Sequence, residues 1–329
     1  MLVIVTLFLP GIAFSQRLEN PEPYNLPDSL PVRNRYVHRI GIEARPGYIF
    51  PTNDFLRGDN YYGKTIENAF SAHVKYSFQF WPHSFLDRIY SGAYQGIGLA
   101  WYNFGEKEQV GNPLALYLFQ GGRIKRFNHR LTLNYEWNLG ISHGWEPYDY
   151  YENFYNKMIG SEANAYLNVN FYFSWMLNKW LDINAGATLS HFSNGNTKFP
   201  NAGLNSVDVN IGLVWNINRE KDCFSLPVDY RPIPEFRKYV SYDLVLFGSW
   251  RRKGVLSGDE YVAAPDAYPV FGFNFSPMYN FGYKFRAGAS IDGVYDGSAN
   301  IYVPDYAVYS GSEEFVKPAF NKQLAVGIS

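Results

Sequence analysis

A histidine and a serine lie two residues apart in the sequence SHFSNGNTKFPNAGLNS, which spans residues 190–206. A serine hydroxyl is a weak nucleophile until a base removes its proton, and a neighbouring imidazole is suited to that task. In a β-strand, residues i and i+2 project from the same face. A strand through this segment would therefore bring His191 and Ser193 together, and the pair predicts a serine nucleophile that is activated by a histidine base.

A His-x-Ser spacing is weak evidence by itself, because such a pair can also end a strand without any catalytic role. Ser142 and His143 form another pair, but adjacent strand residues face opposite ways, so they do not predict a dyad. Cys223 is the single cysteine and cannot form a disulfide or a thiolate cluster. No metal or cofactor is expected, since the remaining histidines lack ligand spacing: His38, His73, His83 and His129.

The chain around the motif alternates between apolar and polar residues. Between positions 130 and 141, one face carries Leu131, Leu133, Tyr135, Trp137, Leu139 and Ile141. A period of two predicts β-strands. About twelve such segments are readable: 37–50, 67–82, 92–105, 112–127, 130–145, 164–178, 180–195, 206–218, 240–254, 268–281, 283–297 and 317–329.

These segments predict an all-β protein, an antiparallel transmembrane β-barrel of the outer membrane. They are ten or more residues long, and their second faces carry Asn, Glu and Asp. The 8 Trp, 28 Tyr and 26 Phe make the chain 19% aromatic, as expected for the aromatic girdles of such barrels. The net charge of −1 argues against a nucleic-acid partner bound through bulk electrostatics.

The domain organisation predicted from the sequence has three parts. Residues 1–15 are apolar and end in Ala13-Phe14-Ser15, as a signal peptide does before its cleavage site. Residues 16–36 contain four prolines and predict an irregular periplasmic leader. Residues 37–329 are expected to form the barrel. The final LAVGIS ends without the aromatic residue common in these barrels, which leaves open one or two further strands beyond position 329.

Alternation and loop length also predict where the His–Ser pair lies. Leu181, Ile183, Ala185, Ala187 and Leu189 share a strand face with His191 and Ser193, so the pair is expected on the lipid side. Long connections follow the odd-numbered segments, and long loops of such barrels lie outside the cell. The pair, at the end of the seventh segment, is therefore expected at the height of the acyl esters of outer-leaflet glycolipids.

The sequence HFSNGNTKFPNAGLN resembles the active-site motif of the outer-membrane lipid A 3-O-deacylase family, also called acyloxyacyl hydrolase-like. In that family a His-x-Ser-Asn motif, followed by Pro-Asn-x-Gly, cleaves an ester-linked acyl chain from lipopolysaccharide. The resemblance implies that His191 is the general base, that Ser193 is the nucleophile, and that Asn194, Gly195 and Asn201 lie near the oxyanion. It implies lipid A as the substrate.

The chain departs from the family pattern in two respects. Members carry a Glu about twelve residues after the serine, where this chain has Asn205. An amide can orient the imidazole but supplies no charge to stabilise the imidazolium, so reduced activity is expected. Asp208 is the nearest acid, but its position in the alternation of apolar and polar residues predicts that its side chain points into the lumen. Members are also usually smaller barrels than twelve segments would form.

Two other functions remain open at this stage. One is a non-catalytic outer-membrane pore or structural barrel in which the motif has no role, because a barrel by itself says nothing about function. The other is a phospholipase acting on glycerophospholipids.

Overall fold

A computed structural model describes residues 36–82, 85–219, 235–257, 260–264, 266–299 and 323–328. The chain forms two compact units, one built on the first eight strands and one on the later strands. The strands of the first unit are β1 (Tyr36–Ile49), β2 (Asn68–Phe80), β3 (Tyr94–Asn103), β4 (Gly111–Arg126), β5 (Leu131–Trp145), β6 (Ala163–Met176), β7 (Leu181–Ser193) and β8 (Leu204–Ile217). Two short helices accompany them, α1 (Asp54–Arg57) and α2 (Phe85–Tyr90).

The first unit is a closed antiparallel barrel in which each strand pairs with its neighbour in the chain. The barrel closes between β1 and β8, with registers that run from His38 opposite Ile217 to Ile49 opposite Ser206. The predicted all-β barrel is thus confirmed. The predicted single barrel over residues 37–329 differs from this arrangement, because pairing of β1 with β8 leaves the eight-stranded sheet no open edge for another strand.

The connections of the barrel differ at its two ends. The loop end, at which β1, β3, β5 and β7 finish, carries the connections 50–67, 104–110, 146–162 and 194–203. The turn end carries the tight connections 127–130 and 177–180, and the longer 81–93 with α2. The side chain of Asn128 caps its turn by accepting the backbone N–H of Leu131 at 2.9 Å, and Asn178 accepts that of Leu181 at 3.0 Å.

Alternation along each strand separates an apolar outer wall from a polar interior. The outer wall includes large exposed side chains such as Ile42, Val74, Leu99, Leu116, Leu118, Trp137, Leu139, Ile141, Leu167, Val169, Phe171, Leu189, Val209, Ile211 and Leu213. An apolar belt of this kind is what a transmembrane barrel presents to lipid. No helix in the described ranges is long and apolar enough to span a bilayer.

The barrel interior is filled by side chains. Lys75 Nζ lies 2.9 Å from Glu43 Oε1 and 2.5 Å from Glu136 Oε1, and Arg45 Nη2 lies 2.6 Å from Glu43 Oε2. Buried aromatic and apolar residues occupy the interior and the loop end, among them Tyr102, Phe104, Tyr117, Trp145, Met158, Ile159, Tyr166, Phe192 and Leu204. Eight strands enclose a lumen just wide enough for such packing.

The second unit is a five-stranded sheet with a separate hairpin. Its strands are β9 (Tyr239–Arg251), β10 (Gly254–Ser257), β11 (Glu260–Ala263), β12 (Tyr268–Asn280), β13 (Arg286–Gly288), β14 (Ile291–Asp296) and β15 (Leu324–Ile328). β12 pairs with β9, β13 and β14, β14 also pairs with β15, and β10 pairs with β11. The segments that the sequence predicts after position 239 therefore form strands, but in a sheet of their own.

Some predicted features fall outside the described residues. These are the signal peptide over 1–15, the leader up to residue 35, His83 and Cys223. Tyr36, which was predicted to end the leader, is the first residue of β1.

Candidate active site

His191 and Asn205 face each other across neighbouring strands at the loop end of the barrel. They are register partners between β7 and β8, and the Oδ1 of Asn205 lies 2.7 Å from the Nδ1 of His191. An amide oxygen can only accept a hydrogen bond, so Nδ1 carries the proton and Nε2 of the neutral ring is an acceptor. The contact with Asn205 thereby favours one tautomer of the His191 imidazole.

Ser193 shares a face of β7 with His191. Between them Phe192 points into the barrel and is fully buried, whereas both His191 and Ser193 are partly exposed. Leu189, two residues before His191 on the same face, is 56% exposed and belongs to the apolar outer wall. The strand pleat therefore directs the hydroxyl and the imidazole together toward the lipid side.

The loop after β7 turns sharply beside Ser193. The backbone N–H of Asn194 donates to Oδ1 of Asn201 at 2.9 Å. Gly195 has a φ of 63°, a left-handed conformation that glycine adopts without a steric penalty. Among the described residues, the N–H of Gly195 makes no backbone or side-chain hydrogen bond. Within this loop the N–H of Asn194 is therefore occupied by Asn201, whereas the N–H of Gly195 can donate a hydrogen bond to a ligand.

Buried residues of the β5–β6 loop hold the other side of this turn. Ile159 forms an isolated β-bridge with Asn201, and the N–H of Gly203 donates to the carbonyl of Met158 at 3.1 Å. Ile159 and Met158 are fully buried in the apolar core. The position of Asn201 is therefore fixed by a packed loop.

Gly203 is a residue that the sequence reasoning did not single out. It has a φ of 73°, and a Cβ built on it would lie 3.0 Å from the carbonyl oxygen of Phe192 and 3.3 Å from Cε1 of His191. A glycine is required there by both the backbone conformation and the close approach to the imidazole. The only sequence signal was its place in Pro200-Asn201-Ala202-Gly203.

Two family models match this chain. The model described as lipid A 3-O-deacylase matches residues 70–214, and the model described as the C-terminal domain of acyloxyacyl hydrolase matches residues 240–329. The chain belongs to the lipid A 3-O-deacylase family. The first match spans β2 to β8 and contains His191, Ser193 and Asn205, and the second spans the strands of the second unit.

Solved outer-membrane barrels resemble this lipid A 3-O-deacylase family member at low identity. Neisserial surface protein A is 11% identical with a TM-score of 0.34, over 55% of this chain and 96% of that one. The N-terminal β-barrel domain of Pseudomonas aeruginosa OprF is 8% identical with a TM-score of 0.32, over 54% and 97%. The outer-membrane enzyme PagL is 10% identical with a TM-score of 0.35, over 52% and 97%. No curated protein matches.

Other polar residues of this deacylase family member lie apart from the pair. Asp208 is buried in the interior, where it accepts hydrogen bonds from Ser206 at 3.0 Å and Ser190 at 3.4 Å, so it points into the lumen as its parity predicts. His143 on β5 is exposed, with Nε2 3.7 Å from a carboxylate oxygen of Glu162.

A second serine–histidine contact exists inside the barrel. Ser71 Oγ lies 3.0 Å from Nε2 of His73, whose Nδ1 lies 2.9 Å from the hydroxyl of Tyr117. All three residues are buried. These groups face the packed interior, whereas His191 and Ser193 lie on the outer face of β7. Within the described ranges, no three His, Cys, Asp or Glu residues group as metal ligands.

Proposed function

We propose that this outer-membrane protein hydrolyses an ester-linked acyl chain of lipid A, with Ser193 as nucleophile, His191 as general base and Asn205 as the residue that orients the base. The observation that carries the proposal is the 2.7 Å contact between Asn205 Oδ1 and His191 Nδ1, on the strand face that also holds Ser193. Membership of the lipid A 3-O-deacylase family supports the substrate class.

The reaction begins when Nε2 of His191 takes the proton of the Ser193 hydroxyl. The serine oxygen attacks the ester carbonyl carbon and forms a tetrahedral oxyanion. As this intermediate collapses, the bond to the sugar oxygen breaks, and the imidazolium gives its proton to that oxygen. An acyl-serine remains. A water molecule, deprotonated by His191, then attacks the acyl-serine, and the fatty acid leaves as Ser193 regains its proton.

The oxyanion is assigned to the N–H of Gly195. Preorganised backbone donors stabilise such an intermediate because they need not reorient as charge develops. The contact between the Asn194 N–H and Asn201 Oδ1 at 2.9 Å supports a different role for these two residues. They hold the turn that presents Gly195, so Asn194 and Asn201 act as positioning residues.

Asn205 is expected to reduce the turnover relative to an enzyme with an acid at this position. Its amide fixes the tautomer and direction of the His191 ring, yet it brings no negative charge to the imidazolium that forms in the transition state.

The apolar wall below the pair suits an acyl chain. Leu167 on β6 is the register partner of His191 on β7. Two residues further along each strand, Val169 on β6 pairs with Leu189 on β7. Leu167, Val169 and Leu189 are exposed on the lipid side. A fatty acyl chain lying along this wall would place its ester carbonyl beside Ser193, with no need for a deep pocket.

The test is mass spectrometry of lipid A extracted from cells that express the wild type or Ser193→Ala. Wild type is expected to remove one ester-linked acyl chain, and Ser193→Ala to remove none. Ser190→Ala is the matched control, since Ser190 lies on the same strand and faces the interior. Unchanged lipid A with released glycerophospholipid fatty acids would indicate a phospholipase. Unchanged lipids throughout would contradict the proposal.

The pore alternative has its own test. The packed interior predicts that purified protein in planar bilayers gives no steady conductance, whereas an open-lumen barrel does. Steady wild-type channels together with unchanged lipid A would support a pore.

A further inference from the structure

We infer that His143 and Glu162 bind the sugar headgroup of the substrate while Ser193 attacks its ester. This inference rests on the deacylase function proposed above and deepens it, because it assigns the residues that distinguish a glycolipid from a phospholipid. His143 lies on the outer face of β5, and Glu162 directly precedes β6. Their side chains are 71% and 68% exposed. The two residues therefore present polar groups on the side of the barrel that also holds the His191–Ser193 pair.

The strand registers give the position of His143 relative to the nucleophile. Ala165 on β6 is the register partner of both Ile141 on β5 and Ser193 on β7. His143 lies two residues beyond Ile141 toward the loop end, opposite Ala163. Two inter-strand spacings and two residue steps separate the Cα atoms of His143 and Ser193 by about 12 Å. A sugar ring can lie between the imidazole and an ester carbonyl at Ser193.

The outer face of β6 changes from large to small side chains next to the nucleophile. Toward the turn end its exposed side chains are large: Leu167, Val169, Phe171, Phe173 and Trp175. At the level of Ser193 and His143 it carries only Ala163 and Ala165. Because an alanine side chain is a single methyl group, the outer wall is recessed over these two positions. The recess lies where the sugar ring would have to be.

The order of groups along the outer wall matches the order of groups in an acylated sugar. The acyl wall, formed by Leu167, Val169 and Leu189, lies on the turn-end side of Ser193. The polar pair lies on its loop-end side. Hydrocarbon, ester and sugar follow one another in the same sequence in the substrate. One orientation of the lipid therefore contacts all three parts of the wall.

The chemistry of the pair favours sugar hydroxyls over a phosphate. Nε2 of His143 lies 3.7 Å from a carboxylate oxygen of Glu162, which is too long for a hydrogen bond between them. The carboxylate accepts a hydrogen bond, and a neutral imidazole offers one donor and one acceptor. Sugar hydroxyls match both groups because each of them donates and accepts. A phosphate at the same place would be repelled by the carboxylate of Glu162.

The backbone beneath the pair is held by contacts between β5 and the start of β6. The N–H of Gly144 donates to the carbonyl of Glu162 at 3.2 Å. On the interior side, the hydroxyl of Ser142 donates to the carbonyl of Asn164 at 3.1 Å, and both of these residues are buried. The separation between the backbones of His143 and Glu162 is thereby fixed, so the headgroup meets a prearranged pair.

Equilibrium binding to the full chain in neutral detergent micelles tests the inference. Ser193→Ala is the background, so that bound lipid A is not hydrolysed, and native mass spectrometry measures the bound fraction during a titration. Adding His143→Ala and Glu162→Ala together should raise the apparent Kd for lipid A about tenfold or more, the loss of two hydrogen bonds. His38→Ala is the matched control and should leave this Kd unchanged, because His38 is a partly exposed histidine of β1 at the turn end.

A second pair of variants tests the recess in the same background. Ala163→Phe fills it with a ring and should weaken lipid A binding, because the sugar then has no space beside His143. Ala72→Phe is the control, since Ala72 is an exposed alanine on the outer face of β2, and its binding should equal that of the background. Equal binding by the two phenylalanine variants would contradict a sugar in the recess.

Phosphatidylethanolamine is the comparison ligand, because it has acyl esters and a phosphate but no sugar. Its Kd should be the same with and without His143 and Glu162. Unchanged lipid A binding in the double variant, or equal weakening for both lipids, would overturn the inference. Fatty acid release by the wild type separates it from the proposed function. No release, together with lipid A binding that depends on the pair, would remove the deacylase proposal and support the headgroup site.

Discussion

The side-chain oxygen of Asn205 lies 2.7 Å from Nδ1 of His191, across the register pair that joins β7 to β8. This contact determines which nitrogen of the ring carries the proton, and it leaves Nε2 on the side of the ring from which a base can act. In the proposed mechanism, an uncharged amide therefore lies where an acid would stabilise the imidazolium.

Replacing Asn205 tests both consequences. Asn205→Ala removes the group that orients the ring and is expected to lower kcat by roughly 10–100-fold, a cost typical of misplaced catalytic groups. Asn205→Glu supplies a carboxylate and should raise kcat by about tenfold or more, within the roughly 10⁴-fold that an acid is worth in a serine protease. Initial rates of fatty acid release from lipid A in mixed micelles measure both changes. Wild-type rates for Asn205→Ala would show that the contact has no catalytic role.

Gly203→Ala tests the close approach beside the imidazole. The new Cβ would lie 3.3 Å from Cε1 of His191 and 3.0 Å from the carbonyl oxygen of Phe192, so the ring must shift. We expect kcat to fall about tenfold or more while KM changes little, because the lipid wall is untouched.

Gly105→Ala is the control for backbone strain. Gly105 has a φ of 79°, close to the 73° of Gly203, and an added Cβ there meets nothing within 4 Å. Its kcat should equal that of wild type. Equal losses of kcat in the two variants would show that backbone strain causes the loss. The close approach of Gly203 to the His191 ring would then have no specific role in catalysis.

The alternation of side chains was sufficient to predict much of the site. Leu189, His191 and Ser193 share the lipid-side face, and Asp208 points inward, as the period of two requires. The side of the sheet to which a side chain points can be predicted from the sequence, because the alternation within each strand determines it without information on the rest of the chain.

Features that depend on distant contacts were not predictable. The barrel closes at β8 because the edges of β1 and β8 meet, and twelve similar segments in sequence do not indicate which two edges will pair. Likewise, the hydrogen bond from the Asn194 N–H to Asn201 depends on the loop conformation that Met158 and Ile159 support. The family resemblance implied that Asn194, Gly195 and Asn201 lie near the oxyanion, and the loop contacts are the basis on which we propose Gly195 alone as the donor.

The buried charges of the lumen predict a large stability effect. Lys75→Met would leave the carboxylates of Glu43 and Glu136 without the ammonium that lies 2.9 Å and 2.5 Å from them. Removing one partner of a buried ion pair costs about 3–5 kcal/mol of unfolding free energy. Urea titration of the protein in lipid vesicles measures this change.

Lys64→Met is the matched substitution at an exposed position of the β1–β2 loop. It should change the unfolding free energy by less than about 0.5 kcal/mol. A loss below about 1 kcal/mol for Lys75→Met would mean that the lumen network contributes little to stability, against the expectation for buried charges.

The central claim is that His191 activates Ser193 on the lipid side of the barrel, and covalent capture tests it most directly. Intact-protein mass spectrometry after treatment with an alkyl fluorophosphonate in micelles should show one adduct, mapped by peptide fragmentation to Ser193. The adduct should be absent in Ser193→Ala, strongly slowed in His191→Ala and unchanged in Ser190→Ala. An unmodified wild type, or an adduct that forms equally fast in His191→Ala, would contradict the account.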